Sequence, residues 1–402
     1  MPASPNNPFR LGAGAPPEVW AGRVGLLPTH DHRRADRIRG NYTTGTVFIG
    51  PSGIGKSVLV NRFAQHAAQT GDVVVGAVRV AKRSDPIAQL AGAVSKAADQ
   101  VAGATQLVDG LEKTLERVRL IGVKGVQFAV EHGGIANPHL DVRDALTQLG
   151  AAIARENHTR AEGTQRAVVI RIHEFQNADN EQRSKLLSAL GDVLEATVTL
   201  ELPGGASVEH YLPVLLYVTG LPDLLNRATN VDTFRRRFDT ISLGMLTDSE
   251  VIDALQTTPL PDEVTFTPAA AAALADVTGG DPYLFQLVGK HAWDAADTPT
   301  IDVAEIERAD EQTYRQRLQT IEAASADIPK GEVDVLDAIY ALVDASGRVK
   351  GAEVAAHLDR DPPQIATAAQ RLERRAAIRR ERGLWRIEHR LLHRYRTTGD
   401  IV

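Results

Sequence analysis

A chain of 402 residues, 43% apolar and 24% charged, holds material for two or three domains of about 150 residues each. Its net charge of −6 excludes a polycation, so any nucleic-acid contact must come from a local basic patch. With no cysteine, disulfides, thiolate metal sites and cysteine nucleophiles are excluded together.

No apolar run approaches the roughly 18 residues of a spanning helix. The start, MPASPNNPFRLGAGAPPEVW, lacks the basic end and apolar stretch of a signal peptide. A cytoplasmic protein without membrane contact is expected. Residues 1–44, rich in Pro, Gly and Asn and then in Arg and His, read as an extended arm. Thr46–Ile49 is β-prone, and KSVLVNRFAQHAAQ after it has helical periodicity. Val73–Val80 is a second strand, and Asp85-Pro86 opens a helix. Residues 101–140 read as an insertion in which VRLIGVKGVQFAVEHGG alternates like a β-hairpin. Ala145–Glu156 and Glu181–Leu194 are expected helices, and Ala167–Ile172 and Val214–Val218 are buried strands. Strands alternating with helices over residues 45–243 predict a parallel sheet covered on both faces.

After about residue 244 strands are expected to stop. Thr247-Asp248-Ser249-Glu250 fits a capping box, Thr267-Pro268 starts a helix, and Gly279-Gly280-Asp281-Pro282 ends one and caps the next. Residues 244–327 are therefore read as an all-helical unit. In residues 328–402, Val333–Val343, Gly351–Leu358 and a helix opening at Asp361-Pro362-Pro363 precede a hairpin at Ile378–Ile387. Three helices and a hairpin predict a winged helix-turn-helix. The overall class is α/β.

Gly50-Pro51-Ser52-Gly53-Ile54-Gly55-Lys56-Ser57 matches GxxxxGK[ST] between a strand and a helix. Glycines let the backbone amides turn inward, and the helix start aims its positive end at the same anion. Lys56 is expected on the β- and γ-phosphates, Ser57 on Mg²⁺, and Val58 in the same cradle. The expected cofactors are ATP and Mg²⁺. Further on, Val168–Gln176 is an apolar strand ending in His173-Glu174. Glu174 stands where a water-polarising carboxylate belongs. His173 stands where an Asp is expected, and a neutral imidazole lacks the charge and the oxygen that Mg²⁺ prefers. Three readings follow: impaired hydrolysis with binding retained, compensation by Asp179 or another carboxylate, or a metal held by Ser57 and phosphates alone. Thr219 ends the Val214–Val218 strand and can orient water. Within Phe234-Arg235-Arg236-Arg237-Phe238, one Arg could stabilise charge on a neighbouring subunit's nucleotide, or the run could be a solvated basic turn.

The order of these parts resembles the AAA+ ATPases of the origin-recognition and STAND-like branch. More narrowly, it is similar to AAA-family ATP-binding proteins of actinobacteria that join this core to a C-terminal winged helix. The likeness includes Asn7-Pro8-Phe9, the Gly12–Pro17 stretch, Ala21-Gly22-Arg23, Gly220-Leu221-Pro222 and Gly279-Gly280-Asp281-Pro282-Tyr283. It implies a five-stranded core with a helical lid over the nucleotide. It also implies Arg23 near adenine or sugar, Thr219 as a sensor, Arg236 or Arg237 as the finger, and Pro282 approaching from the lid. His173 and Tyr283 depart from origin-recognition relatives; Gly280-Asp281-Pro282 agrees with STAND-like ones.

From Arg371 to Arg396 there are ten Arg against three Glu, a balance suited to phosphate contact. Gln364, Thr367, Arg371 and Arg374 can face outward from the third helix, with Arg380 and Arg382 on the wing. Double-stranded DNA is one expected partner; an acidic protein is the other reading. His389 and His393, four apart, lack an acidic partner for a metal. The function expected is an ATP-driven switch, with self-association through the ATPase core if the finger acts in trans. The alternatives are a non-hydrolysing adaptor and a signalling or defence scaffold whose winged helix binds protein.

Overall fold

The computed structural model describes residues 6–12, 14, 16–101, 111–202, 204–222, 224, 236–344, 347–375, 377–381 and 383–398. The chain divides into two compact units. One joins Gly12–Pro16 to Arg23–Gly244; the other joins Met1–Leu11 and Pro17–Gly22 to Met245–Val402.

The first unit begins with a correction. Within the expected arm, Leu26–Ile38 is a helix, α1. Several of its basic residues are buried or paired rather than solvated. Arg34 forms a two-pronged pair with Asp72, with both distances 2.7 Å. Arg37, 0% exposed, donates to the carbonyls of Leu194 and Leu212 and to Thr43. His30 bonds the Tyr217 hydroxyl at 2.6 Å. His30, Arg34 and Arg37 fall on one helical face, and that polar face is the buried one.

Strand β1 (Gly45–Ile49) leads through the glycine loop into α2 (Lys56–Gln69). The other strands of the main sheet are β2 (Val73–Val74), β3 (Val78–Arg79), β4 (Val168–His173), β7 (Val214–Gly220) and β8 (Phe238–Ser242). The order β2-β4-β7-β1-β8 is parallel at each pairing, with β3 also on β4. There are thus six strands where the resemblance implies five, because the edge beside β4 is split in two. β7 is buried at every residue, as a central strand covered on both faces must be. Between α7 (Asn180–Glu195) and β7, an antiparallel hairpin of β5 (Thr197–Glu201) and β6 (Ser207–Tyr211) forms a separate two-stranded sheet.

Residues 101–140 overturn the expected hairpin. After α3 (Pro86–Val101), the chain forms α4 (Leu111–Lys124) and α5 (Val126–Gly133), broken at Gly125, and then α6 (Pro138–Thr159). Val118 and Ile121, three apart, are both 0% exposed. Gly122 decides the matter: a Cβ there would come within 2.7 Å of Gly92. Two helices meet backbone to backbone, which the period-two pattern does not reveal.

In the second unit, Phe9 is 3% exposed and lies edge-on to Phe266, Phe285 and Trp293 at 5.8–6.4 Å. This part of the expected arm is therefore core. Thr247 and Glu250 form the expected capping box at α8 (Asp248–Thr257). Thr267 caps α9 (Pro268–Thr278), and Asp281 caps α10 (Pro282–Ala295), ahead of α11 (Val303–Ala326). The region is not wholly helical, since β9 (Thr265–Phe266) pairs in parallel with β10 (Thr300–Ile301). The last stretch holds α12 (Lys330–Leu342), β11 (Arg348–Lys350), α13 (Gly351–Leu358), α14 (Pro362–Arg374), β12 (Ile378–Glu381), β13 (Leu384–Ile387) and α15 (Arg390–Thr398). Its three strands form an antiparallel sheet ordered β11-β13-β12. Among the described residues no helix is long and apolar enough to cross a membrane.

Candidate functional site

The glycine loop Gly50–Gly55 joins the end of β1 to the start of α2. Gly55, the residue before the helix, sits at φ +85, where an L side chain is strained. It offers no side-chain cap, and the first turn of α2 has no acidic residue. The partial positive charge of the helix start is therefore uncompensated by its own chain. At the loop's mouth, a Cβ on Gly53 would meet nothing within 4 Å. Ser52 and Gly53 are exposed, Ile54 is buried, and Pro51, Ser57 and Val58 are half-buried.

Lys56 is 4% exposed; its Nζ donates to the carbonyls of Gly50 at 2.8 Å and Pro51 at 2.6 Å. Burial lowers its pKa, Glu174 raises it and Arg23 lowers it, so the loop collects an ammonium, a guanidinium and one carboxylate. Arg23 Nη2 donates to the Ile54 carbonyl at 2.6 Å and to the Gly244 carbonyl at 3.3 Å. Its guanidinium therefore lies on the phosphate loop itself.

Glu174 follows β4 at φ +57, a left-handed conformation that turns its carboxylate off the strand line. Its N–H donates to the Thr219 hydroxyl at 3.3 Å, and Thr219 is fully buried. Gln176 Nε2 donates to Glu174 Oε2 at 2.5 Å, and Gln176 Oε1 accepts from the Leu221 N–H at 3.2 Å. Gln176 therefore ties the carboxylate to the chain just beyond β7. Sequence reasoning missed this residue; the only signal for it was a polar side chain two positions after Glu174.

His173 ends β4 at 1% exposure, and neither ring nitrogen has a hydrogen-bond partner in the protein. Burial, then Arg79, then Arg171 hold its pKa down at about 4. It is neutral and faces guanidiniums. Asp179 caps α7 by accepting from the Gln182 N–H. Ser57 supplies a hard hydroxyl oxygen, but the expected carboxylate position is a nitrogen base among positive charges. The residues present do not fit an ordinary Mg²⁺ site.

Of the arginine pair, Arg237 is engaged. It forms a fork with Glu195 at 2.9 and 2.7 Å and pairs with Asp192 at 3.0 Å. Arg236 is exposed. Phe234 and Arg235 lie outside the described residues. Pro282 opens α10 in the second unit, behind Asp281.

In the C-terminal module, Gln364, Thr367, Arg371 and Arg380 are exposed. Arg382 and the side chain of Arg374 lie outside the described residues. At least six of the ten arginines meet carboxylates of their own unit. Arg371 and Arg375 flank the buried Glu332, Arg379 meets Glu388, and Arg390 meets Asp276. Arg394 meets Asp310 and Glu311, and Arg396 meets Asp337. His389 Nδ1 accepts the Leu392 N–H, and His393 lies edge-on to Tyr340. No metal-binding cluster of three His, Asp or Glu occurs among the described residues.

A parallel sheet whose β1 ends in an uncapped, lysine-bearing glycine loop defines a P-loop nucleotide-binding fold. Residues 32–201 match the model of the AAA ATPase domain. Among solved structures it is similar to the Walker-type ATPase of Pyrococcus abyssi, at 13% identity over 96% of this chain and 98% of that one, with a TM-score of 0.55. It is also similar to the ORC1 protein of Aeropyrum pernix in complex with DNA, at 14% identity over 96% and 94%, with a TM-score of 0.44. Cdc6p from Pyrobaculum aerophilum is similar at 14% identity over 98% and 95%, also at 0.44. No curated protein matches the chain.

Proposed function

We propose that the chain binds ATP at Gly50–Val58 and works as a nucleotide-dependent switch of the origin-recognition and STAND-like type, with slow turnover. One observation carries this reading: α2 begins uncapped behind an open glycine loop, with the buried Lys56 ammonium beside it. A triphosphate tail is the ligand that satisfies the orphan amides and the ammonium together. Lys56 takes the β- and γ-phosphates, and Arg23 adds a second positive charge from the loop side. Glu174 is the base that polarises water, Thr219 fixes its backbone, and Arg236 is the guanidinium available to a neighbouring copy's nucleotide. Slow turnover follows from His173, because the corner lacks the carboxylate of a metal-assisted site.

The C-terminal module is read as a winged helix, with α14 as its recognition helix and β12–β13 as its wing. DNA contact through Gln364, Thr367, Arg371 and Arg380 is favoured by their exposure on those elements. The internal pairing of so many neighbouring arginines favours a second reading, in which the module binds protein. A turnover assay separates the outcomes. Lys56→Ala is expected to lose binding and turnover, and Glu174→Gln to keep binding and lose turnover. Nucleotide binding with no turnover in the wild type would move the chain to the non-hydrolysing adaptor.

A further inference from the structure

Arg171 and His173 lie two apart on β4, so their side chains leave the same face of the sheet. β3 pairs in register with β4 there, Arg79 opposite His173, which puts a second guanidinium on that face. The helix over it is α2, because Arg171 Nη1 donates to Asn61 Oδ1 at 2.7 Å. Ser57 lies one helical turn before Asn61, on the same side of α2. The corner beside the phosphate-loop serine therefore holds an imidazole and two guanidiniums.

Two ligand classes could satisfy the orphaned nitrogens of His173. A divalent cation could take the imidazole lone pair, and a phosphate oxygen could take an imidazole N–H. Charge decides between them. The groups acting on His173 are Arg79 and Arg171, both positive; they repel a cation and attract an anion. The nearest catalytic carboxylate, Glu174, is held by Gln176. We infer that this corner receives the terminal phosphate directly on His173 with Arg171 and Arg79 behind it, so that the chain captures nucleoside triphosphate without a divalent cation. The inference rests on the nucleotide reading above and goes beyond it by assigning the metal's charge-neutralising role to side chains.

The test is calorimetric titration of the full chain with ATP, once in excess EDTA and once in excess Mg²⁺. The wild type is expected to bind in both, with dissociation constants within about threefold. His173→Asp is expected to lose about tenfold or more in EDTA and to recover with Mg²⁺, because a carboxylate repels phosphate until a metal bridges them. His173→Asn keeps a neutral donor and is expected to bind without metal, which covers the case of an Asp variant that does not fold. Wild-type binding that falls about tenfold or more in EDTA overturns this inference and leaves the nucleotide reading standing. An Asp variant that folds and is as indifferent to metal as the wild type also overturns it. No binding under either condition overturns both.

Discussion

The Lys56 ammonium is buried against the carbonyls of Gly50 and Pro51, oxygens that a phosphate would replace. Lys56→Met keeps the aliphatic stem and removes the charge. ATP affinity should fall by about tenfold to a hundredfold, the worth of a charge-assisted hydrogen bond, while the melting temperature without nucleotide stays close to wild type. Gln176→Ala should leave nucleotide affinity unchanged and lower turnover by about tenfold, since the Glu174 carboxylate loses its tether to Leu221; an equal loss of affinity would instead mean that the loop has collapsed. His30 is held at about 4 by burial, against 6.5 in the unfolded chain. The unfolded state binds more protons between those values. Stability is therefore whole above about pH 6.5 and declines toward pH 4, by on the order of 3 kcal/mol from this one group. Urea unfolding across that range should show the decline, and His30→Gln should make it shallower. The phosphate loop and Glu174 were legible in the sequence because a contiguous motif sets their geometry. Gln176 and the engagement of Arg237 were not, because their partners are distant in the chain and meet them only in the fold.

Among the elements, α1 was hidden for a related reason. His, Arg and Asp in a row look like a solvated arm, yet Arg37 reaches carbonyls more than 150 residues away and is 0% exposed. Arg37→Met should cost about 3 kcal/mol, because carbonyls and Thr43 lose their donor inside the protein. Chemical denaturation measures it, and a cost under about 1 kcal/mol would show that water replaces the guanidinium. The helices α4 and α5 were misread because VRLIGVKGV alternates apolar and other residues while also placing Val118 and Ile121 on one helical face. A local pattern with two solutions is settled by packing, here the Gly92–Gly122 approach. The hairpin β5–β6 did leave a local signal, alternation on both sides of Gly204-Gly205, and went unread. The strands and helices around the phosphate loop were legible because their apolar runs are long and their caps explicit: Thr247, Thr267 and Asp281 each cap the helix expected of them.

At the level of the whole molecule, local charge misleads most. The ten arginines near the C-terminus suggest a phosphate-binding surface, and at least six meet acidic partners from Asp276 to Glu388, of which Arg371 stays 61% exposed beside Glu332. Any DNA affinity of the module is therefore expected to be weak and to have a shallow salt dependence, since few arginines remain to neutralise phosphates. Arg380→Ala should reduce the salt slope by about one, and Arg394→Ala should lower stability without changing that slope. Electrophoretic titration at several salt concentrations reads the first effect and thermal unfolding the second. DNA affinity unaltered by Gln364→Ala, Arg371→Ala and Arg380→Ala together would give the module to a protein partner.

Everything at this scale depends on whether a triphosphate enters the loop between β1 and α2. Thermal unfolding of the purified chain with and without ATP, beside Lys56→Ala, asks this most directly. A ligand at a hundred times the wild type's dissociation constant should add about 2.7 kcal/mol to the wild type and no more than about 1.4 kcal/mol to the variant. An unfolding transition that ATP leaves in place, or shifts equally in both proteins, would contradict the account.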